Sequence, residues 1–596
     1  MPFIYLDIET DNTDKLGLDV FQSRIVTVQM LLPSGKSVII KDPKNLDNIK
    51  SALENNIIVG HNIKFDAKFL KHHFNVTLKN VYDTMIAELV LSGGLYAGKK
   101  DMTSLSDLVL RYCGEHLEKE EQKGFKYGVP LTSAQQKYAL KDLIYLPEIH
   151  KQQQAKIKQL NLETIIDLEM KAIPAMVWLE LSGIKVDLEK LEPLKQNALQ
   201  IKHEVESTIY HLLGDSSINL NSPSQLKKAL NNAGIPVEGT NKDELKKYDT
   251  PVTNAILEYR DCEKFMNSFV DTLPTYINPI TTRVHADYMQ IGAVTGRLSC
   301  KAPNMQQQPA RGKLAKHWKE IFVAEKGKNI VTADYSQIEL RIVGQAAHDK
   351  KYIDAYNTPG VDLHKRTAAT LFHVSEGEVT KTQRGMAKSV NFGLNYGMTG
   401  KGLIKKIKSD VGEDITVAQA RQYIQAFQKL YPEVTAHLKQ ASQHGLQNKC
   451  VHTLAGRLIR FEDPSVIIER TLPDRIKQYE NTHHKIPSPE TIAYMRGDIR
   501  NQVLGKIGRQ SKNYPIQGFC ADLLKIALHE IFLKLEPLGV KFIATVHDEV
   551  VFECDENQTE YVKQVVKDEM ERAGKHWFTD IPCICEVFHG SYWQKD

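Results

Sequence analysis

The first 150 residues alternate between apolar runs and segments with helical spacing. Three runs predict strands, because apolar side chains dominate or alternate along FIYLDIET, RIVTVQMLL and NIIVGH. The segments between and after these runs carry apolar residues at the spacing of helices. This alternation predicts an α/β module at the start of the chain.

The rest of the chain changes pattern several times and contains no internal repeat, low-complexity tract or Ser/Gly linker. We therefore expect modules that pack on one another. The predicted segments are helices over 155–210 with an end at Gly183, short helices and polar turns over 210–275 with Ser222 or Ser224 as a cap, strands and loops over 285–345, helices over 350–450, an irregular and then helical stretch over 457–510, and helix, strand, turn, strand and helix over 511–596.

The composition is that of an ordinary globular protein. The chain has 596 residues, of which 42% are hydrophobic and 25% charged, which excludes a disordered chain, a collagen-like repeat and a disulfide scaffold. The chain has 77 Lys and Arg against 73 Asp and Glu. The net charge of +4 is too small to indicate a nucleic-acid partner and does not exclude one. The 8 scattered cysteines form no CxxC pair, which favours buried free thiols over a zinc site.

No stretch approaches the ~20 apolar residues that a membrane span needs. The start of the chain, MPFIYLDIETDN, lacks the basic region of a signal or transit peptide. We therefore expect a protein of the cytoplasm that is not secreted and does not contact a membrane.

Acidic residues recur at the ends of predicted elements in the α/β module. Asp7 and Glu9 lie two apart on one strand, so their side chains share a face. Asp66 begins a helix, and Tyr138 and Asp142 are spaced i, i+4 on another helix. Acids gathered on an apolar strand need a cation between them, and two Mg²⁺ ions there could activate water and stabilise the leaving oxygen of a phosphodiester. Each piece alone is typical of a surface strand end or a solvated helix face, but their order and spacing together favour a metal site.

A second acidic group comes from a strand end and a hairpin in the C-terminal two-thirds. The apolar strand in NIVTADYSQIELRIVG ends at Asp334, and the apolar hairpin FIATVHDEVVFE exposes His547, Asp548 and Glu549 at its tip. A polar hairpin tip is most often only a turn. More than two hundred residues separate Asp334 from Asp548, so spacing alone does not show that they meet.

A stripe of cations and aromatic rings lies between these two acidic segments. In TKTQRGMAKSVNFGLNYGM, Arg384, Lys388, Phe392 and Tyr396 recur every four residues and therefore share one broad face of a helix. Such a stripe is usually an amphipathic surface helix. Two cations followed by two aromatic rings also fit a triphosphate at one end and a base or sugar at the other.

The first acidic group resembles the three motifs of the DnaQ-like 3′–5′ proofreading exonucleases of the DEDDy type. Asp7 with Glu9, then Asp66, then Tyr138 with Asp142, match those motifs in order. The resemblance implies a ribonuclease H-like fold, a mixed sheet with helices, in which the four carboxylates hold two metal ions and Tyr138 orients the attacking water. A further match, for which we expect a structural role, is Asp83-Thr84-Met85.

The C-terminal two-thirds resembles family A DNA polymerases, with the segments of Asp334, of the 384–396 stripe and of Asp548 as motifs A, B and C. Three more segments match in family order: TGRLSCKAPNMQQQP, VDLHKRTA and RQSKNYPIQG. The family pattern for the first is TGRLSSxxPNLQNIP, and Gln307 stands where Asn is usual. The resemblance implies an α+β domain shaped as a right hand of palm, fingers and thumb.

The resemblance also implies roles in synthesis for the matching residues. Asp334, Asp548 and the backbone carbonyl of Tyr335 would hold two Mg²⁺ ions, with Glu549 beside them. Lys388 would protonate the leaving pyrophosphate. The other implied contacts to dNTP are those of Arg384 and His364 with the triphosphate, of Phe392, Tyr396 and Gln337 with the nucleotide, and of Glu339 with the space of a ribose 2′-hydroxyl.

Two of these residues imply a choice of substrate. Glu339 argues for dNTPs over rNTPs. Phe392 implies rejection of dideoxynucleotides, because a Tyr at this position admits them in the family. A further implied set would contact the duplex minor groove, whose acceptors are similar for all base pairs, and would therefore test pair shape: Arg297, Asn304, Gln306, Arg509, Asn513, Gln517 and His547.

The predicted domains are the exonuclease at 1–155 and the polymerase at 156–596. Within the second, we expect the thumb at about 170–280, the palm at about 281–345 and 505–596, and the fingers at about 346–504. A stretch near 463–500 is longer than in compact members of the family, and two interpretations stay open for it: a solvated insertion, or a contact with DNA or a partner. Because the chain begins at the exonuclease, we expect no 5′-nuclease domain and a form most like a phage replicative polymerase.

The expected function is template-directed DNA synthesis from dNTPs, with 3′–5′ proofreading, in DNA replication. The expected partners are primer-template DNA and dNTPs, the expected state is a monomer, and Mg²⁺ is the expected cofactor, two ions per active site, with Mn²⁺ as an alternative. The sequence does not specify a helicase, primase or processivity partner. Two other hypotheses are an exonuclease-dominant repair enzyme, which the intact polymerase motifs disfavour, and a DNA-binding scaffold, which the acids disfavour because they repel DNA.

Overall fold

The structure is a computed structural model and describes residues 2–11, 18–117, 124–309, 313–315 and 317–595. The N-terminal module contains a five-stranded sheet. Its strands are β1 (Phe3–Thr10), β2 (Ile25–Leu31), β3 (Ser37–Lys41), β4 (Ile57–Gly60) and β5 (Val81–Asp83). They lie in the order β3-β2-β1-β4-β5, with β1 antiparallel to β2 and parallel to β4. The predicted strands and the α/β class with a mixed sheet are confirmed.

Five helices accompany this sheet. They are α1 (Asp47–Asn55), α2 (Lys64–Phe74), α3 (Thr84–Leu91), α4 (Leu105–Cys113) and α5 (Ser133–Gln159). Polar side chains fix the starts of the last three: Asp83, Ser104 and Thr132 each accept hydrogen bonds from backbone N–H groups of the first turn.

Helix α6 (Glu163–Ser182), most of whose residues are buried, follows the N-terminal module. It packs against both halves of the protein. On one side the Trp178 Nε1 donates to the Val540 carbonyl at 2.9 Å, and on the other Lys68 pairs with Glu180 at 2.5 Å. The helix ends at Gly183, as predicted, where φ is +57°.

A group of long and short helices follows α6. Its elements are β6 (Ile184–Lys185), α7 (Leu188–Leu213), α8 (Pro223–Asn232), α9 (Lys242–Leu245) and α10 (Pro251–Phe265). Ser222 caps α8, as predicted, by accepting from the Gln225 backbone N–H. The far end of this group has a small core of its own, which includes Leu226, Leu230 and Ile256.

The next segment starts the second large sheet and continues into a helical subdomain. Its strands are β7 (Arg283–Val284), β8 (Asp287–Met289), β9 (Ser299–Lys301) and β10 (Lys328–Tyr335). The helices are α11 (Ile338–Ala347), α12 (Lys350–Asn357), α13 (Leu363–Phe372), α14 (Lys381–Asn395), α15 (Gly400–Val411), α16 (Val417–Leu430) and α17 (Pro432–Asn448). This run confirms the predicted helical segment.

A short strand pair and two helices come next: β11 (Cys450–His452), β12 (Leu458–Arg460), α18 (Pro464–His483) and the 47-residue α19 (Pro489–Leu535). The prediction for 457–510, irregular at first and then helical, is confirmed: β12 and a short coil precede α18, which begins at Pro464. Asp463 caps α18, and its apolar residues Ile468 and Leu472 pack on Ile499 and Val503 of α19 in a separate small core. The extra residues near 463–500 therefore form a helical hairpin.

The last elements complete the second sheet: β13 (Lys541–Val546), β14 (Glu549–Asp555), α20 (Thr559–Ala573) and β15 (Cys585–Gly590). The strand order is β13-β14-β10-β15, and every neighbouring pair is antiparallel. The sequence pattern had predicted β13 and β14 but not β15. Within the described part of the chain, no helix is long and apolar enough to cross a bilayer.

Candidate active sites

Strand β1 presents two carboxylates on one face of the N-terminal sheet. Ile4, Leu6 and Ile8 are buried, whereas the alternate residues Asp7 and Glu9 are only partly buried. The predicted alternation is therefore present. It directs the two acids away from the core and toward α5.

Asp66 reaches the same place from the first turn of α2. Its side chain is buried, and its Oδ1 accepts the Ile8 backbone N–H at 3.0 Å, directly between the two acids of β1. Asp83 has a structural role, as expected: it accepts from the backbone N–H groups of Asn62 and Ile63, each at 2.9 Å, and so holds the turn that precedes α2.

Helix α5 completes the N-terminal group with Tyr138 and Asp142. Burial raises the pKa of Asp7 to about 8, and repulsion from Asp142 adds to the shift. Burial also raises the pKa of Glu9 to about 10, with further repulsion from Asp7, Asp142 and Asp66. Burial raises the pKa of the Tyr138 hydroxyl, with further repulsion from Asp142, Glu9 and Asp7, so the hydroxyl keeps its proton at neutral pH. All five predicted residues thus lie in one electrostatically coupled cluster.

The sequence analysis did not find Gln29, which belongs to this cluster. It lies on β2 opposite Asp7, and its Nε2 donates to Asp7 Oδ2 at 2.7 Å. Thr27 donates to the Gln29 Oε1 at 2.8 Å and so orients the amide. The available signal was weak: two polar residues, two apart, within an otherwise apolar strand.

The second sheet brings the two distant acids of the C-terminal region together. β10 and β14 pair antiparallel with Asp334 opposite Glu549, so Asp548 lies beside Asp334 at the end of the sheet. Burial raises the pKa of Asp548 to about 7, and repulsion from Asp334 is the next cause. The strand-end and hairpin predictions therefore converge on one cluster.

Glu549 is more enclosed than the hairpin-tip prediction implies. It is 2% exposed, and its Oε1 accepts from the Trp593 indole Nε1 at 2.5 Å. Lys595 lies 2.7 Å from Asp334 Oδ2 and 3.1 Å from Glu549 Oε2. Neither Trp593 nor Lys595 was found from the sequence, because the pattern around them carries no motif.

The residues after Asp334 divide between the core and the surface. The Tyr335 ring is buried, and its hydroxyl donates to the Met570 carbonyl at 2.8 Å, so only its backbone faces the acidic cluster. Gln337 is exposed with φ of +51° at the start of α11, and the Tyr356 hydroxyl donates to its Oε1 at 3.3 Å. This contact links α12 to the turn that follows β10.

Two residues that the sequence placed in different roles pair with each other. Arg297, a predicted duplex contact, donates to Oε1 of Glu339, a predicted nucleotide contact, at 2.7 Å. Both side chains are partly exposed. In the structure described here, each satisfies the charge of the other.

Helix α14 carries the predicted stripe. Arg384, Lys388 and Phe392 lie within the helix, and Tyr396 is the residue that ends it. Lys388 is exposed, and the rings of Phe392 and Tyr396 lie 6.2 Å apart. The Arg384 Nε donates to Asp362 Oδ2 at 2.7 Å, a partner that the sequence analysis missed.

His364, the other predicted triphosphate contact, is buried and uncharged. It is 3% exposed, and burial lowers its pKa to about 4, so the ring is neutral at neutral pH. The Asn391 Nδ2 donates to its Nδ1 at 2.9 Å, which leaves the ring proton on Nε2. His364 is therefore a hydrogen-bond donor and not a cation in this structure.

The predicted duplex contacts come from three places. Arg509, Asn513 and Gln517 are spaced i, i+4, i+8 on α19 and so share a face. Asn304 is exposed and its Oδ1 accepts the Gln306 backbone N–H at 3.0 Å. The remaining contact, His547, is exposed at the turn between β13 and β14, where φ is +60°.

Both acidic clusters fit a divalent cation in charge and in donor type. Their carboxylates repel one another, and Asp334 Oδ1 is buried without a hydrogen-bond partner. Carboxylate oxygens are the preferred ligands of hard cations. Over the described residues, no three Asp, Glu, His or Cys side chains are yet gathered closely enough to enclose a metal ion.

Comparison with known proteins identifies the two modules. The family model described as 3′–5′ exonuclease matches residues 1–158. The family model described as DNA polymerase family A matches residues 188–595, more than half of the chain. The chain belongs to DNA polymerase family A.

This family A polymerase is similar to bacterial enzymes named DNA polymerase I. It is 29% identical to that of Aquifex aeolicus, over 100% of this chain and 96% of the relative. It is 29% identical to that of Pseudomonas aeruginosa, over 98% of this chain and 63% of the relative, and 31% identical to the thermostable enzyme of Thermus filiformis, over 72% and 48%. The chain thus spans from about half to nearly all of the length of these relatives.

The fold has a solved counterpart. The POL domain of Pol1 from M. smegmatis, in complex with DNA primer-template and dNTP, matches with a TM-score of 0.78 and 23% identity, over 99% of this chain and 95% of that one. The α+β right hand joined to a ribonuclease H-like exonuclease is therefore confirmed as the fold. This protein is a DNA polymerase with a 3′–5′ exonuclease domain, and members of this kind depend on metal ions.

Proposed function

We propose that this protein extends primed DNA templates with dNTPs and excises mispaired 3′ ends, as part of DNA replication. The observation that carries the proposal is the pairing of β10 with β14, which sets Asp334 beside Asp548 at the end of the second sheet. The exonuclease cluster around Asp7 is separate and equally intact. The reaction partners would be primer-template DNA and dNTPs, with the protein acting as a monomer.

In the polymerase site, Asp334, Asp548 and the Tyr335 carbonyl would hold Mg²⁺. Such ions would lower the pKa of the primer 3′-hydroxyl and offset the charge that develops on the phosphoryl group. Glu549 next to them is held in place by the indole of Trp593. The enclosed position of Glu549 makes it a positioning residue in this proposal.

Helix α14 supplies the triphosphate contacts. Arg384 is oriented by Asp362, so its remaining guanidinium N–H groups can bind phosphate oxygens. Lys388 is exposed and can give a proton to the leaving pyrophosphate. His364 would donate one hydrogen bond from Nε2. Phe392 would pack against the sugar of the incoming nucleotide.

Two features would select the substrate. Glu339 would occupy the space of a ribose 2′-hydroxyl and so favour dNTPs. Arg297 would leave Glu339 for the duplex minor groove once DNA is bound, where Arg509, Asn513 and Gln517 of α19 would act with it. Gln306, Asn304 and His547 would complete that contact.

In the exonuclease site, Asp7, Glu9, Asp66 and Asp142 would hold the metal ions. Their mutual repulsion disappears when a cation binds, which supports this role. Tyr138 keeps its proton and can orient the attacking water by donating a hydrogen bond. Gln29 would hold Asp7 in position from the neighbouring strand.

A primer-extension assay tests the proposal. A labelled primer-template with a matched or mismatched 3′ end is incubated with Mg²⁺, with and without dNTPs. We expect extension with dNTPs, shortening without them, and excision of a mismatch before extension. Shortening without extension would favour an exonuclease-dominant enzyme and refute synthesis, and DNA binding with neither reaction would leave only a scaffold.

Variants assign each reaction to its cluster. Asp548→Asn should abolish extension while primer shortening and DNA binding persist. A matched control is Asp555→Asn on the same strand, because Asp555 pairs with Lys328 at the far end of the sheet. Equal loss of extension in both variants would argue against a role for the acidic cluster.

A further inference from the structure

The segment that follows β15 returns to the acidic cluster of the second sheet. Trp593 is fully buried, and its backbone N–H donates to the Phe322 carbonyl at 2.9 Å. Its indole Nε1 donates to Glu549 at 2.5 Å. The segment is therefore anchored at Trp593, two residues before Lys595.

Lys595 places an ammonium group between two carboxylates. Its Nζ lies 2.7 Å from Asp334 Oδ2 and 3.1 Å from Glu549 Oε2. The Lys595 side chain is 41% exposed, in contrast to the fully buried Trp593. The ammonium is thus held by ion pairs at the open side of the cluster, at the end of a segment whose anchor is inside the protein.

A second cation stands behind the anchor. Lys319 lies 3.4 Å from Glu549 Oε1 and 4.4 Å from the centre of the Trp593 ring. Glu549 is therefore in contact with the indole and with two ammonium groups. Asp334 keeps one buried oxygen, Oδ1, without a hydrogen-bond partner.

The same oxygen cannot bind a lysine ammonium and a metal ion at full strength. Two cations on one carboxylate repel each other, and the Lys595 ammonium already occupies Asp334 Oδ2. Because its side chain is partly exposed, Lys595 can leave into solvent without unpacking the core. The anchor at Trp593 keeps it close enough to return.

We propose that Lys595 is a tethered cation that fills the polymerase metal position in the free protein and competes with the divalent ion for Asp334. The inference rests on the proposed function, which assigns Asp334 as a metal ligand. Lys595 then lowers the apparent affinity for the ion in the absence of substrate. It also compensates the acidic cluster while no metal is bound.

The test is a titration of metal-free protein with Mn²⁺, followed by the electron paramagnetic resonance signal of free Mn²⁺. The protein carries Asp7→Asn, which weakens the exonuclease site so that the titration reports the polymerase site. Lys595→Gln removes the tethered charge, Lys595→Arg keeps it, and Lys328→Gln removes a comparable ion pair at the far end of the same sheet.

We expect Lys595→Gln to bind Mn²⁺ roughly tenfold more tightly, which corresponds to an ion pair that is closed about nine-tenths of the time. Lys595→Arg and Lys328→Gln should bind as the parent does. A thermal melt of each variant checks that the fold is kept. Unchanged affinity in Lys595→Gln would overturn the inference, and weaker affinity would also overturn it, because Lys595 would then order the ligands and not compete with the ion.

A separate assay of DNA synthesis tests the proposed function. Primer extension by the unaltered protein at saturating Mg²⁺ reports synthesis whatever Lys595 does. Extension together with an unaltered Mn²⁺ titration refutes only the competition. Absence of extension refutes the proposed function, and the inference about Asp334 as a metal ligand then falls with it.

Discussion

Removing the ammonium of Lys525 should destabilise the polymerase domain strongly. Lys525 lies on α19 and is fully buried, with its Nζ 2.6 Å from Glu169 Oε1 on α6 and 2.7 Å from the Gly296 carbonyl. Arg457 bridges Glu169 and Asp522 in the same interior network. The neighbouring cations outweigh the effect of burial and lower the pKa of Glu169, so this carboxylate stays ionised.

The magnitude follows from the charges. Two cations and two anions balance in the network, and Lys525→Met leaves one net buried negative charge. The Coulomb energy of the pair at 2.6 Å is about 6 kcal/mol at an effective dielectric constant of ~20. Desolvation offsets part of it, and breaking one partner of a buried pair costs about 3–5 kcal/mol.

The double variant Lys525→Met with Glu169→Gln restores the balance, because only the Arg457–Asp522 pair then remains. We expect it to be about 2–3 kcal/mol more stable than Lys525→Met alone, within the range of coupling energies between contacting residues. A matched control is Lys171→Met on α6, whose ion pair with Asp167 is exposed and should change the free energy of unfolding by less than ~1 kcal/mol.

The assay is urea unfolding, monitored by tryptophan fluorescence. Its probes all lie outside the exonuclease domain: Trp178, Trp318, Trp577 and Trp593. The signal therefore follows the polymerase domain. A urea midpoint of Lys525→Met equal to that of the wild type would refute the assignment of this network as a coupled ion cluster. A double variant with a lower free energy of unfolding than either single variant would refute it as well.

Three further outcomes are expected. Asp7→Asn should slow primer shortening ~100-fold, because it would remove a carboxylate of the proposed metal site, and should leave extension intact; equal losses of both would contradict two separate sites. Phe392→Tyr should raise incorporation of dideoxynucleotides roughly tenfold, which is the effect of one added hydrogen bond. Competition between dideoxynucleotides and dNTPs measures this, and an unchanged ratio of the two incorporated nucleotides would refute it. Burial and repulsion from Asp334 raise the pKa of Asp548 from 3.8 to about 7, so between those pH values this carboxyl ionises in the unfolded chain before it does in the metal-free folded protein, and the folded protein loses stability as pH rises. The stabilisation by Asp548→Asn in thermal melts should therefore grow over that range and then level off. A pH-independent difference between the two proteins would contradict this reasoning.

Local patterns predicted the elements that carry the chemistry. The alternation of Ile4, Leu6 and Ile8 with Asp7 and Glu9 needs only the pleat of a strand, and the structure has it. The stripe on α14 likewise depends only on helical geometry. The roles of the site residues, the domain boundaries and a phage source stay predictions.

Partners from distant segments could not be predicted in this way. Gln29 faces Asp7 because of strand register, and Lys595 meets Asp334 because β15 adds to the edge of the second sheet. Neither contact produces a periodic pattern in the sequence. Helix in this region was predicted, but the packing of α18 on α19 was not, because the polar composition hides the few apolar residues, such as Ile468 and Leu472, that form their shared core.

Helix α6 links the two modules that carry the acidic clusters. Lys68 of α2 holds it through Glu180, Val540 holds it through Trp178, and Lys71 of α2 also pairs with Glu536 at 2.7 Å. These contacts hold the two clusters apart, so for the proposed reaction a primer end would have to unwind to reach the exonuclease. Opening a base-pair step costs about 0.6–2.2 kcal/mol depending on sequence. The rate at which a correctly paired 3′ end is trimmed then depends on the stability of the terminal base pairs. Primers that end in A·T pairs should be trimmed faster than those that end in G·C pairs, and a higher temperature should increase both rates.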